Sequence, residues 1–277
     1  MHTYVNLNGK ITAAENAGLP VDNRAYRYGY GLFETMLCRD GAIALASYHW
    51  ERLYAGMHQL GIAVPALLTP QMLEKEVLRT VQKNNMENLC RVRLQVDAGN
   101  GGLYDPDKYT ASSLIECYPL DEQITRLNEN GLVVGIAGLQ KSADSIANLK
   151  TSNALVYALA ARQAQQHHWN DALVCNTNGN IIESSIANIF WIKERSVYTP
   201  PLTEGCIAGV MRRHVLARLS ENNIPVIEKP LLPEELLQAE EVFLTNAIRG
   251  IKWVKQVDNS NYINKMVIKL SQLAQTF

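Results

Sequence analysis

Residues 183–212 read ESSIANIFWIKERSVYTPPLTEGCIAGVMR. An isolated acid, Glu183, is followed by the triplet Asn188-Ile189-Phe190 and a strand-like Val197-Tyr198-Thr199. The run closes on Gly205-Cys206-Ile207-Ala208-Gly209 and enters the amphipathic MRRHVLARL. Glycines ahead of a helix start leave a concave row of backbone N–H groups at the positive end of a helix dipole, where a phosphate binds well. The stretch alone points to a phosphorylated ligand. Upstream, Lys150 stands in SIANLKTSNALVYALAARQA, directly before a helical pattern that Thr151, Ser152 or Asn153 could cap.

The run resembles the signature of the class IV pyridoxal-phosphate aminotransferases. The likeness covers the acid, the Asn-hydrophobic-aromatic triplet, the hydrophobic-x-Thr, and the hydrophobic-x-Gly-hydrophobic-x-basic from Ile207 to Arg212. The resemblance implies pyridoxal 5'-phosphate as cofactor, with Lys150 forming the imine and then moving the proton between Cα and C4′. It implies that Glu183 keeps the pyridine nitrogen protonated, so that the ring acts as an electron sink. It assigns Asn188 to the cofactor side, and the backbone N–H groups of Ile207 and Ala208, the Thr245 hydroxyl in FLTNAIRG and the Arg52 guanidinium in YHWERL to the phosphate. Tyr28-Gly29-Tyr30-Gly31-Leu32-Phe33-Glu34-Thr35 resembles the first-domain motif, with Tyr30 in place of the common aspartate. Tyr28, Phe33 and Thr35 then face the substrate, and Arg93, with Arg24 and Arg91, is a possible carboxylate partner. Taken singly, each of these residues also has a bland reading, as a solvated lysine, a loop acid or a strand-face arginine.

Three reactions share this scaffold: transamination of branched-chain amino acids, transamination of D-amino acids, and release of pyruvate from 4-amino-4-deoxychorismate. Asn153 lies three residues after Lys150, as in the D-amino-acid and lyase branches, but Asn100-Gly101-Gly102-Leu103-Tyr104 offers neither an Arg-x-His pair nor the arginine some lyases carry after Gly-Gly. The broad expectation is an aminotransferase, the runner-up is the lyase, and the remote alternative is a non-catalytic binding module on the same fold.

The formal net charge of -1 over 277 residues, with scattered basic residues, argues against nucleic acid or an anionic membrane as partner. The five cysteines are odd in number and widely spaced, which suits a reducing compartment. No basic leader opens the chain and no apolar run reaches the ~18 residues of a membrane span, so a cytoplasmic protein is expected. His167 and His168 are adjacent and no Cys/His cluster occurs, so no metal site is expected.

Asn8-Gly9 and Asp40-Gly41 each join strand-like runs as hairpin turns. Helical spacing covers 48–60, 72–81, 153–166, 210–220 and 263–273, and strand patterns cover 90–96, 113–117, 132–136 and 241–244. The expected fold is α/β (α+β) in two domains: 1–118, a linker at 119–125, and 126–277. The resemblance makes this fold type IV, with the cofactor in the interdomain cleft and a homodimer whose active site is completed by the neighbouring subunit.

Overall fold

The computed structural model describes residues 3–105 and 109–276. Asn8 and Gly9 take φ of 52° and 82°, the pair of positive values a type I′ turn needs, and join β1 (Tyr4–Leu7) to β2 (Lys10–Ala13). Asp40 and Gly41, at 49° and 73°, do the same between β3 (Gly31–Arg39) and the short β4 (Ala42–Ile43). A one-turn helix α1 (Arg24–Tyr28) precedes β3. After β4 come α2 (Ala46–Gln59) and α3 (Pro70–Lys83), the latter started by Pro70 and capped by Thr69 Oγ1, which accepts from Met72 N–H. β5 (Leu89–Asp97) and β6 (Ser112–Pro119) complete an antiparallel sheet of order β2-β1-β6-β5-β3-β4. Leu32, Met36, Cys38, Cys90, Val92, Leu94 and Val96 are buried at alternate positions. Phe33 and Thr35 of β3 therefore share the opposite face with Arg91, Arg93 and Gln95 of β5.

Residues 1–124 form one compact unit, which also takes in Lys150–Asn153; residues 125–149 and 154–277 form the other. The division at 124/125 lies within the stretch read as a linker, 119–125, whereas the lysine segment, expected in the second domain, belongs to the first unit. Its seat is a piece of sheet: Phe33 N–H donates to Lys150 O at 2.9 Å, and Ser152 N–H donates to Gly31 O at 2.8 Å. A Cβ at Gly31 would stand 2.9 Å from Val96 O and 3.0 Å from Ser152 Oγ, so only glycine admits both neighbours.

The second unit begins with β7 (Leu132–Lys141) and α4 (Leu155–Gln166), followed by β8 (Asp171–Asn176), β9 (Ile181–Ser184), β10 (Asn188–Lys193) and β11 (Ser196–Thr199). Then come α5 (Val210–Glu221), β12 (Val226–Glu228), α6 (Pro233–Leu236), β13 (Glu241–Asn246), β14 (Gly250–Val257), β15 (Ser260–Asn261) and α7 (Lys265–Leu273). The strand order is β12-β11-β10-β13-β14-β7-β8-β9, and β9 also pairs with β10, so β10, β13, β14, β7, β8 and β9 close a ring. Closure removes the edges of those strands. Val134, Leu173, Ile181, Ile189, Trp191, Val242, Leu244 and Val254 belong to one buried cluster of this unit.

One expectation needs correction, and one strand has no counterpart in the sequence reading. The residue before α4 is Ala154, and no side chain among the described residues caps that helix; the backbone around Thr151 and Ser152 is instead drawn into pairing with β3. β14 escapes the sequence reading because Lys252 and Lys255 break its apolar run. Lys252 is nonetheless buried, its ammonium donates to Arg126 O, and burial together with nearby Arg249 lowers its pKa to about 8.

Gly31→Ala is expected to cost about 1–3 kcal/mol through overpacking, read as a lower melting temperature, with faster hydrogen exchange at the Phe33 and Ser152 amides. Unchanged exchange at those amides would contradict the seating described.

Candidate active site

Glu183, Asn188 and Thr245 stand opposite one another across β9, β10 and β13. Residues so paired project to the same face, and with strands ~4.8 Å apart the acid and the hydroxyl lie roughly 10 Å from each other along the sheet. The five-residue spacing from Glu183 to Asn188 is a tight turn, closed by Ser184 N–H donating to Ala187 O at 2.7 Å.

Glu183 is buried and accepts three hydrogen bonds. Its Oε1 accepts from the Tyr157 hydroxyl at 2.6 Å and from Lys141 Nζ at 3.0 Å, and its Oε2 accepts from Ile207 N–H at 3.0 Å. Burial, and then the negative charge of Glu183, push the Tyr157 phenol well above its usual range, so Tyr157 is a hydrogen-bond donor here. Lys141 and Tyr157 have no sequence signal of function: one ends a strand and the other sits in an alanine-rich helix.

At the other end of the row Asn188 shapes the glycine turn. Its Nδ2 donates to Ile207 O at 2.9 Å, and its Oδ1 occupies the space of a Cβ on Gly209, only 1.9 Å from that position. The N–H groups of Ile207 and Ala208, expected to point at a phosphate, are engaged within the protein: Ile207 with Glu183, and Ala208 with Asn148 O at 3.0 Å. The donors that α5 leaves without an intrahelical partner lie one turn on, at Val210, Met211 and Arg212. The N-cap of α5 is Gly209, and no side chain among the described residues caps it. The Thr245 hydroxyl, across from Asn188, is buried with no hydrogen-bond partner among the described residues. A buried orphan hydroxyl costs about 1–3 kcal/mol unless something pairs with it. The face therefore has an acid with acceptor capacity at one end, and an unpartnered hydroxyl near a helix N-terminus at the other. A flat ligand with a cationic N–H and an anionic tail meets both.

In the first unit, Lys150 Nζ lies 4.5 Å from the centre of the Phe33 ring, and the Arg93 guanidinium lies 4.0 Å from it. Thr35 pairs across the strands with Arg93. Arg93 donates to Gln95 Oε1 at 3.1 Å and stands 3.8 Å from Glu116 Oε2, and Arg91 lies over the Tyr118 ring. Arg24, a possible carboxylate partner from the sequence, is buried and spent on structure: it donates to Ala98 O at 2.8 Å and Gly102 O at 3.3 Å. Tyr28 is half-exposed at the end of α1, and Tyr30, at the position of the common aspartate, donates to Leu60 O. Among the described residues there is no group of three metal-ligating side chains and no helix long and apolar enough to cross a membrane.

The amino-transferase class IV family matches residues 31–257. A putative branched-chain-amino-acid aminotransferase of Methanocaldococcus jannaschii is 29% identical over 271 residues, which cover 97% of this chain and 92% of that protein. An aminodeoxychorismate lyase of Vibrio harveyi is 26% identical over 261 residues, 93% of this chain and 94% of that one. The branched-chain aminotransferase of the archaeon Thermoproteus uzoniensis, solved with norvaline, shares the fold at a TM-score of 0.88 and 23% identity, covering 99% of this chain and 94% of that one. A T.th. branched-chain amino acid aminotransferase complexed with N-(5'-phosphopyridoxyl)-L-glutamate does so at 0.87 and 20% identity, covering 99% and 93%.

Arg52 is gripped from one edge by Glu34, with Nε donating to Oε1 at 2.8 Å and Nη2 to Oε2 at 2.5 Å, while His49 Nδ1 lies 2.6 Å from the same Oε2. Burial alone would raise the Glu34 pKa; the Arg52 charge and the His49 hydrogen bond overcome it and hold the carboxyl down at about 2. Because the folded value is depressed, the stabilisation is complete above the unfolded value near 4.5 and is lost as pH falls from there through about 2. The expected effect is up to about 3 kcal/mol, seen as a drop in urea midpoint between pH 5 and 2 that Glu34→Gln abolishes.

Proposed function

The chain belongs to the class IV aminotransferases, and from that premise we propose that it is a pyridoxal-phosphate-dependent transaminase moving the amino group of an amino acid to a 2-oxo acid. The observation that carries this reading is the row from Glu183 through Asn188 to Thr245. Its acid end suits a protonated pyridine nitrogen. The orphan Thr245 hydroxyl and the uncapped start of α5 suit a phosphate.

When bound, pyridoxal phosphate supplies a carbonyl for amine exchange and an electron sink for the bond broken at Cα. Glu183 would hold the proton on the ring nitrogen. The Thr245 hydroxyl and the Val210 and Met211 N–H groups, with the Arg52 guanidinium, would hold the phosphate. Lys150 would be the covalent anchor and, once its amine is free, would take and return a proton at the substrate Cα. Phe33, Thr35 and Tyr28 line the substrate side, and Arg93 takes the substrate carboxylate.

The same reading makes the protein a homodimer of the reducing cytoplasm. Val21, Tyr26 and Tyr104, 79%, 77% and 95% exposed, offer apolar surface to a second copy. They stand on segments tied together by Arg24 N–H donating to Gly99 O and Gly101 N–H donating to Asp22 O. The five cysteines are buried and unpaired, as a reducing compartment allows.

Lys150→Ala is expected to abolish turnover, the visible absorbance of the bound cofactor and its fixation by borohydride. Glu183→Gln is expected to keep the colour and slow turnover by ~100-fold or more; a Gln variant as fast as the parent would refute the ring-nitrogen role. Amino transfer from L-leucine or D-alanine to 2-oxoglutarate supports the transaminase, whereas pyruvate released from aminodeoxychorismate without amino transfer replaces it with the lyase. Protein that stays colourless and inert with added pyridoxal phosphate replaces both with a binding module.

A further inference from the structure

A carboxylate accepts about four hydrogen bonds, two on each oxygen. Glu183 uses three positions. Both of Oε1 are taken, by Lys141 and Tyr157, while Oε2 holds the Ile207 N–H. The open acceptor is therefore on Oε2. Lys141 is 13% exposed at its side chain and makes a further bond, donating to Ala147 O at 2.8 Å. Ala147 belongs to the segment that runs on through Asn148, whose side chain donates to Leu202 O and Cys206 O at 2.8 and 2.7 Å, to the chain entry of Lys150. Lys141 thus ties the acid to the backbone leading to the reactive lysine. Its ammonium also lies 5.2 Å from the centre of the Tyr157 ring.

The groups that face Glu183 are Lys141 from β7, Tyr157 from α4, and Cys206 and the Ile207 N–H from the turn before α5, with the Arg212 charge reaching Cys206 from α5 itself. The Cys206 thiol is pushed up to about 12 by burial and then by the Glu183 charge, so it stays neutral. Tyr157 is likewise a neutral donor. Among the described residues, Lys141 is then the one side-chain cation in direct contact with Glu183.

We infer that Lys141 is a positioning residue for the contact between Glu183 and the cofactor ring nitrogen. It supplies the counter-charge of a buried carboxylate and occupies Oε1, leaving Oε2 as the oxygen that receives the ring N–H. The inference rests on the pyridoxal-phosphate reading. Without the ammonium, the buried carboxylate lacks its counter-charge. A lysine that served only as a bolt between β7 and Ala147 would lower stability equally whether residue 183 is Glu or Gln.

The test compares the parent with Lys141→Met, Lys141→Arg and Lys141→Met combined with Glu183→Gln. Pyridoxal phosphate retention after dialysis and melting without added cofactor are both read from pH 6 to 9. Lys141→Met is expected to weaken retention ~10-fold or more, as for a broken buried pair, and Lys141→Arg to restore it. The melting temperature is expected to fall in Lys141→Met and to recover in Lys141→Arg, as for a buried pair that has lost one partner. In the Glu183→Gln background the Met change no longer weakens retention and lowers melting only by the share of the Ala147 O bond. Equal retention and equal melting temperatures for parent and Lys141→Met overturn the inference, as does an undiminished effect in the Gln background. A parent that binds no pyridoxal phosphate sinks the cofactor reading itself, and with it the ring-nitrogen role, while the melting curves still report whether Lys141 and Glu183 are paired.

Discussion

A carboxylate with 3% of its surface exposed is tolerable only when donors surround it, and Glu183 draws its donors from the end of β7, from α4 and from the turn that enters α5. These pieces lie far apart in the chain. The closed ring of strands supplies the frame, because β9 is held on both sides, by β8 and by β10, and cannot shift register without turning Glu183 to the other face.

The same register sets the opposite end of the row. Asn188 pairs with Glu183 on one side and Thr245 on the other, and its amide reaches the glycine turn. One residue therefore couples the acid, the orphan hydroxyl and the helix start. Gly209 has to be glycine here because Asn188 Oδ1 stands where its Cβ would be. The turn thus commits two N–H groups, of Ile207 and Ala208, to partners within the protein, so the donors without an intrahelical partner are those of the first turn of α5.

In the first unit a second buried charge has a comparable solution. Glu34 lies on the helix-facing side of β3 and is met by Arg52 and His49 from α2, which fixes one edge of the guanidinium. The opposite face of the same strand carries Phe33 and Thr35, next to the backbone of Lys150. Alternation along one strand thereby puts the Glu34–Arg52 ion pair and the Phe33–Thr35 side chains on opposite faces of β3.

The hairpins at Asn8-Gly9 and Asp40-Gly41 and the Thr69-Pro70 helix start are legible in the sequence because each depends on the conformations of a few adjacent residues. The signature from Glu183 to Arg212 likewise points to the family, since its spacing reflects one turn and one helix start. Lys141, Tyr157 and the Val210 and Met211 amides are not legible, nor is the assignment of Lys150–Asn153 to the first unit. The Lys141–Glu183 and Tyr157–Glu183 contacts bridge sequence separations of 42 and 26 residues. β14 goes unseen because its lysines hide an apolar pattern that only burial reveals. Local backbone preference is written in neighbouring residues, whereas the pairing of a buried charge is decided by strand register and packing, which come into being only when the whole unit closes.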